Sequence, residues 1–315
     1  MTFFLLRRLA QFVATLLAIS IIVFAVMNVL PGDPALTILG IDASEEARLA
    51  LTRELGLDAP AWQRYLDWIG GVLRGDFGTS YSFDVPVAGL IAERLPVTLS
   101  LAVSGMAVTL VIALGAGIFA ASRHGRPGDW AVMVASQLGI AVPAFWLAIL
   151  LVILFAVKLR WLPPGGFPGW DDPLAAIRAL ILPTISLALV QAAVLTRVTR
   201  SAALDVMRLD FMRTARATGL SPRRILWRHL LPNALVPIVT IVGMQFAGVV
   251  TGTLVIESVF YLPGLGRLIF QSISNRDLIT VQALILLVAA VVVTANFLVD
   301  LAYGLIDPRL KARHA

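Results

Sequence analysis

The 315-residue chain is poor in reactive and charged side chains, and each shortage excludes a class of function. It has no cysteine, which excludes disulfide bonds, thiolate metal sites and a cysteine nucleophile. Its two lysines, Lys158 and Lys311, lie outside any G-x-x-x-x-G-K-[ST] phosphate-binding loop, so ATP hydrolysis is not expected here. The three histidines, His124, His229 and His314, form no ligand-spaced pair, and neither a metal site nor a catalytic residue is predicted.

Charge is scarce because six long apolar runs of the chain contain no charged residue. Only 14% of the residues are charged, 59% are hydrophobic, and the mean hydropathy is +0.89. A helix needs about 20 apolar residues to cross the hydrocarbon core of a bilayer. The sequence therefore predicts an all-α membrane protein, with Pro143, Pro183 and Pro237 kinking their spans. The six predicted transmembrane helices are residues 9–30, 99–121, 130–157, 179–196, 235–256 and 278–299.

Basic residues lie mainly on one side of the predicted spans. Most of them occur before span one, after spans two and four, and after span six, whereas residues 31–98 hold ten of the 19 acidic residues. By the positive-inside rule, both termini are expected in the cytoplasm. The net charge of +6 reflects this topology, and binding to nucleic acid is not predicted.

The long outer loop between spans one and two carries signals of folded structure. Ser44 can cap a helix that Gly56 ends, and a second helix is expected to begin near Pro60. The Gly-Asp-Phe-Gly run at residues 75–78 indicates a turn. These signals predict a partly helical extracytoplasmic loop, and the alternative is a loop that only caps the bundle.

Amide side chains are scattered through the spans, where polar groups usually face the bundle interior or a water-filled cavity. Such amides more often bond to a neighbouring helix, but some are candidates for lining a solute path. The candidates for this path are Gln137, Gln191, Gln245, Gln282 and Asn296.

The cytoplasmic loop between spans four and five, about residues 201–234, begins with the pattern of an amphipathic helix. This helix is predicted to cover residues 201–218, with arginines kept away from its apolar stripe. The stripe consists of Leu204, Met207, Phe211 and Ala215. A loop that only sets membrane topology would not need such a pattern.

A sharp corner is predicted to follow this helix. Gly219 supplies the left-handed residue that ends a helix. Ser221 as the N-cap and Pro222 at the first helical position then open a second helix, residues 223–230, which stops near Pro232. The pattern therefore indicates two helices joined by a rigid corner under the membrane.

This segment resembles the coupling loop of ATP-binding cassette (ABC) importer permeases. The family pattern is Glu-Ala-Ala, three residues, Gly, nine residues, Ile, any residue and Leu-Pro, and the chain matches it at Ala215, Gly219, Leu231 and Pro232. It differs at residues 213–214, which read Arg-Thr in place of Glu-Ala, and at residue 229, which is His in place of Ile. These differences resemble the peptide and nickel branch of the family.

Other motifs extend the resemblance over nearly the whole chain. Nine short motifs, taken in their order and in their positions relative to the spans, are similar to the B-type subunit of dipeptide and oligopeptide permeases. The motifs are LPGDP at residues 30–34, LGLD at 55–58, RYL at 64–66, GDFGTS at 75–80, RLPVT at 94–98, ESVF at 257–260, PGLG at 263–266, RD at 276–277 and DPR at 307–309.

The resemblance implies a type I ABC importer permease fold in a bacterial cytoplasmic (inner) membrane. The implied partners are a second homologous permease subunit, two ABC ATPase subunits that use ATP and Mg, and an extracytoplasmic solute-binding protein. The chain itself is expected to bind no cofactor. The implied ATPase-coupling residues are Arg213, Thr214, Ala215, Gly219, Leu220, Ser221, Pro222, Leu231 and Pro232.

Three parts of the chain follow from this interpretation. Residues 1–98 form the first span and the outer loop, residues 99–304 form a five-helix permease core, and residues 305–315 form a cytoplasmic tail. Di- or oligopeptides are the expected solutes, with glutathione, nickel complexes and opines as alternatives. One alternative is a stand-alone secondary transporter, which would normally show internal repeats and charges at the membrane midplane. The sequence shows no clear repeat, and its spans contain no charge. A second alternative is an intramembrane hydrolase, but the sequence has no G-x-S-x-G, no H-E-x-x-H and no paired aspartates within the spans.

Overall fold

A computed structural model describes residues 2–29, 39, 43–54, 56 and 58–306. The motif residues 30–34, 55, 57 and 307–309, together with Lys311 and His314, lie outside this described part. Within it the chain is almost entirely helical, which confirms the predicted all-α class. The helices are α1 Thr2–Val29, α2 Glu45–Glu54, α3 Ala61–Leu73, α4 Val87–Ser122, α5 Pro127–Ala141, α6 Ala144–Leu151, α7 Pro173–Met207, α8 Asp210–Ala217, α9 Pro222–Ile225, α10 Leu231–Val259, α11 Leu265–Ser274 and α12 Leu278–Ile306.

In the described part of the chain, five apolar segments are long enough to cross a membrane as single helices. They are Leu6–Asn28, Val87–Ser122, Pro173–Met207, Pro237–Val259 and Leu278–Val299. Several of these helices continue well past their apolar runs, since α4 has 36 residues and α7 has 35. The predicted spans two and four, residues 99–121 and 179–196, are therefore shorter than the helices that contain them.

The predicted third span is two helices and not one. Helices α5 and α6, the latter continued by a π-helical stretch Val152–Lys158, meet at an angle of 104°. Between them Val142 has extended backbone, with ψ at 124°, and Pro143 follows. A residue before proline is driven out of the helical conformation, which explains the break. Pro183 and Pro237 lie inside helices that continue past them.

One compact unit comprises, among the described residues, 97–262 and 295–306. Its central element is α7, against which α5, α6 and α10 pack. Small residues allow α4 to approach α7 closely, because a Cβ added at Gly105 would lie 2.8 Å from the side chain of Leu187. Alanines such as Ala188 and Ala192 on α7 are almost completely buried. This unit contains the loop singled out by the sequence.

A second compact unit comprises residues 2–96 and 263–294. It contains the outer loop, in which Ser44 Oγ accepts a hydrogen bond from Ala47 N at 3.2 Å at the start of α2. Helix α3 then packs on α1, where Tyr65 Oη lies 2.8 Å from Ser20 Oγ. Gly56 has a positive φ of 63°, as expected for a residue after a helix end.

Candidate functional site

The segment after α7 does not form the single amphipathic helix that the sequence predicts. Helix α7 ends at Met207, and Leu209 has extended backbone with φ −68° and ψ 148°. A new helix, α8, then begins with Asp210 in its first turn, where a carboxylate is favoured by the helix dipole. The predicted helix at residues 201–218 is therefore split, and its first turns are the end of α7.

The break changes which side chains are buried. Met212, which the predicted stripe omitted, is 1% exposed and belongs to the apolar core of this unit, whereas Phe211 is 40% exposed. Ala215 is buried, as predicted. The stripe was wrong at Phe211 because its phase assumed one continuous helix, and the break rotates α8 relative to α7.

A tight turn closes α8 at the predicted corner. Gly219 has a φ of +74°, and its amide donates to the carbonyl of Arg216 at 3.1 Å. The next amide, of Leu220, lies 3.4 Å from the carbonyl of Ala215. No heavy atom lies within 4 Å of a Cβ added at Gly219, so glycine is favoured there by the backbone conformation and not by lack of space.

Helix α9 begins as the sequence predicts but does not stop where predicted. Ser221 Oγ accepts from the Arg224 amide at 3.4 Å, with Pro222 at the first helical position. The chain then forms a π-helical turn, Leu226–Leu230, and continues into α10. The predicted stop near Pro232 was wrong, because the chain stays helical through the π turn and the proline stands just after it, in the first turn of α10.

The outer surface of this corner is basic. Arg213 pairs with Asp210 at 3.5 Å, and their side chains are 76% and 95% exposed. Among the predicted coupling residues Ala215 is buried, Leu220 and Leu231 are half-buried, and the other six are exposed. The further exposed arginines of the segment are Arg208, Arg216, Arg223, Arg224 and Arg228.

The amides proposed for a solute path are only partly brought together. Gln245 Nε2 donates to the carbonyl of Gln191 at 3.3 Å, which joins α10 to α7. Gln137 accepts from Arg197 at 3.5 Å and is exposed, as is Asn296. Gln282 belongs to the second compact unit.

Two buried carboxylates near helix ends were missed as interacting groups. Glu257 is fully buried near the end of α10, and Thr98 Oγ1 donates to it at 2.6 Å. In the second unit Asp277 is also fully buried and accepts from Thr280 Oγ1 at 2.7 Å and from Ser80. Glu257 lies in the motif ESVF and Asp277 in the motif RD, and these motifs were the sequence feature that could have pointed to the two carboxylates.

The hydroxyl of Tyr81 lies in the field of Asp277. Burial, followed by the negative charge of Asp277, raises the pKa of Tyr81 above its ordinary value. Tyr81 therefore keeps its proton at physiological pH and adds no charge of its own beside Asp277.

Comparison with known families agrees with this architecture. Residues 113–312 match the inner membrane component of binding-protein-dependent transport systems, and residues 1–102 match the N-terminal part of the same membrane components. The chain belongs to this family. It is thus a multi-pass inner-membrane permease subunit of an ABC importer, and ATP hydrolysis lies in partner subunits.

Curated relatives of this permease match over nearly their whole length. A peptide transport system permease protein of Brucella abortus is 44% identical over 312 residues, covering 99% of both chains. A di/tripeptide transport system permease protein of Pseudomonas aeruginosa is 38% identical over 332 residues, covering 98% of both. A glutathione transport system permease protein of Escherichia coli is 38% identical over 308 residues, again covering 98% of both.

A solved ABC importer has the same fold. The MetNI methionine ABC transporter in an inward-facing conformation superposes with a TM-score of 0.56 at 20% identity, covering 69% of this permease and 96% of that chain. The family membership, and not this likeness of fold, shows that the permease works as one component of an importer with ATPase and binding-protein partners.

Proposed function

We propose that this permease moves di- or oligopeptides into the cytoplasm and that residues 208–234 receive the force of ATP hydrolysis. The observation that carries the coupling proposal is the rigid corner at Gly219, in which turn hydrogen bonds and a left-handed residue join α8 to α9. A corner of fixed shape transmits a displacement that a flexible loop would absorb.

The packing of α8 supports this proposal. Met212 lies in an apolar cluster with Val206 of α7, Leu230 before α10, and Ala121 at the end of α4. Because protein interiors are close-packed, a push on α8 displaces these neighbours. Motion at the corner is thereby passed to three long helices, which is what alternating exposure of a path requires.

The names of the relatives support a peptide-like solute, since those with printed substrates include di/tripeptide, oligopeptide and glutathione systems. These solutes share amide groups and charged ends. Gln191 and Gln245, which meet between α7 and α10, are proposed to line the path. Final selection of the solute is assigned to the binding protein.

The proposed assembly has a second homologous permease, two ATPase subunits and an extracytoplasmic binding protein. Both termini and the basic corner are proposed to face the cytoplasm, because the exposed arginines at the corner obey the positive-inside rule. ATP and Mg are used by the partners.

The experiment first isolates tagged permease from native membranes in mild detergent and identifies its companions by mass spectrometry. Recovery of a second permease and an ATPase is expected, and recovery of the chain alone would contradict the assembly. Uptake of a labelled dipeptide is then measured in cells that carry Gly219→Val or, as the matched control, Gly219→Asn.

The two variants separate backbone strain from loss of glycine as such. Valine is strongly disfavoured at the observed φ of +74°, whereas asparagine tolerates it. We expect Gly219→Val to insert normally but to lose uptake, and Gly219→Asn to keep it. Normal uptake by Gly219→Val would rule out the coupling assignment.

A further inference from the structure

A buried ion pair joins the start of α5 to α7. The Asp129 side chain is 5% exposed and that of Arg200 is 22% exposed. The guanidinium binds both carboxylate oxygens, with Nε at 2.6 Å and Nη2 at 2.7 Å. The backbone amide of Gly125 donates to the same carboxylate at 3.0 Å. Such two-pronged pairing fixes orientation as well as distance.

His124 completes the cluster from the short loop before α5. Its Nδ1 lies 2.9 Å from Arg200 Nη2 and 3.2 Å from Asp129 Oδ2. The imidazole side chain is 54% exposed, so it covers one edge of the pair. The α4–α5 connection is thus held on α7 by backbone and side-chain contacts together.

Helix α4 is held against α7 at the same level. A Cβ added at Gly117 would lie 2.6 Å from Cβ of Thr199, the residue before Arg200, and 2.9 Å from the carbonyl oxygen of Thr196. The end of α4 and the start of α5 are therefore both fixed to one stretch of α7. Such close contacts leave no room for sliding.

The position of this stretch links two mechanical features. Arg200 lies two turns before the end of α7 at Met207, after which the coupling corner begins. Asp129 lies in the first turn of α5, whose other end is the 104° break before α6. The ion pair thus lies between the corner at Gly219, which is proposed to receive force from the ATPase, and the broken span α5–α6.

We propose that Asp129 and Arg200 are positioning residues that carry the displacement of the coupling corner to the broken span α5–α6. The inference rests on the proposed coupling function. Buried ion pairs add little net stability compared with apolar contacts, whereas loss of one partner leaves an uncompensated charge. The pair would keep α5 and α7 together while the corner moves, which explains its presence at this site.

The test uses the whole transporter, reconstituted in proteoliposomes with its partner permease, ATPases and binding protein. The ratio of dipeptide transported to ATP hydrolysed is measured for Asp129→Asn and Arg200→Gln. We expect the ratio to fall about tenfold, as for residues that connect two coupled sites. Arg200→Lys should recover part of it by keeping the charge.

Arg178→Gln is the matched control, since it removes an exposed arginine from the opposite end of α7. Its ratio should equal that of the unsubstituted complex. An unchanged ratio in both Asp129→Asn and Arg200→Gln would overturn the inference while the proposed function stands. Absence of coupled ATP hydrolysis in the unsubstituted complex would overturn both.

A second measurement needs no change in the ion pair, so it holds even if those variants fold poorly. The chain has no cysteine, and spin labels at Trp130→Cys and Ser201→Cys, both exposed, are therefore unique. Their distance should be the same without nucleotide and with ATP trapped by vanadate, whereas the distance from Ser201→Cys to Ile153→Cys beyond the break should change. A change in the first distance as large as that in the second would overturn the inference.

Discussion

The two ends of α10 are built in opposite ways. At the coupling end, the π-helical turn Leu226–Leu230 and Pro232 lead back to a surface of exposed arginines. At the opposite end, Glu257, Phe260 and Leu262 are completely buried. The first end is exposed, as the coupling proposal requires, and the other is closed by its own chain.

The closed end is held by backbone contacts as well as by side chains. The amide of Gly166 donates to the carbonyl of Phe260 at 2.8 Å, and the amide of Leu262 donates to that of Glu257 at 2.9 Å. A helix with one fixed end and one exposed end can act as a lever if a partner binds the exposed end, as proposed. Stability should therefore depend mainly on the closed end, and transport on the coupling end.

The largest loss of stability is expected from a substitution that causes a backbone clash at the closed end. A Cβ at Gly165 would lie 2.5 Å from the carbonyl oxygen of Phe260. We expect Gly165→Ala to lower the free energy of unfolding by about 3 kcal/mol, the upper range for overpacking. Denaturation of the purified chain in detergent measures this.

Gly166→Ala is the control for that substitution, because no heavy atom lies within 4 Å of its Cβ although its φ is +84°. Only backbone strain is added, which costs about 1 kcal/mol. Equal losses for Gly165→Ala and Gly166→Ala would show that the contact with Phe260 does not hold the closed end.

A smaller effect is expected from the buried hydrogen bond at the same end. Thr98→Val removes the hydroxyl that donates to Glu257 at 2.6 Å while keeping the shape of the side chain. We expect a loss of about 1.5 kcal/mol, the upper range for a single hydrogen bond. Thr98→Ser keeps the donor, and its melting should stay closer to that of the original chain.

The corresponding glycine at the coupling end should matter less for stability. Gly219→Ala meets no neighbouring atom and adds only the strain of a φ of +74°, about 1 kcal/mol. Denaturation in the same detergent gives the direct comparison with Gly165→Ala. If the two substitutions cost the same, the contrast between the ends of α10 is wrong.

The smallest effect on stability is expected for the exposed pair at the corner. Arg213→Gln breaks a 3.5 Å contact with Asp210 between highly exposed side chains, and such pairs contribute at most about 1 kcal/mol and often nothing. Arg48→Gln, which breaks the contact of the half-buried Arg48 with Glu45 three residues away, is the control. Melting should be nearly unchanged in both, while dipeptide uptake should fall only in Arg213→Gln.

The features that the sequence could predict are those decided locally. Apolar length located the spans, Gly219 marked the left-handed corner, and Ser44 and Ser221 marked helix starts. Each depends on one side chain or on the composition of a short window. The fold as a whole was predicted from the family motifs, and the comparisons confirm it.

The features that the sequence missed depend on tertiary contacts. Leu209 carries no helix-breaking side chain, and the break there becomes clear only from the burial of Met212 in a core built from several helices. Pro232 looks like a stop until the π-helical turn before it is seen. The pairing of Asp129 with Arg200 spans 71 residues, beyond any local pattern.

The π-helical turn at residues 226–230 also bears on how such transporters diversify. A π turn holds one residue more than the α-helical turn that it replaces, so losing one residue from it would leave a regular helix. Because the wider turn absorbs the extra residue, losing that residue would leave the helices on both sides almost unrotated. Elsewhere in α10, each lost residue would rotate the preceding part of the chain by about 100° around the helix axis. A codon lost at this turn should therefore disturb the corner less than one lost further along α10, so changes of length among such transporters are expected to collect here.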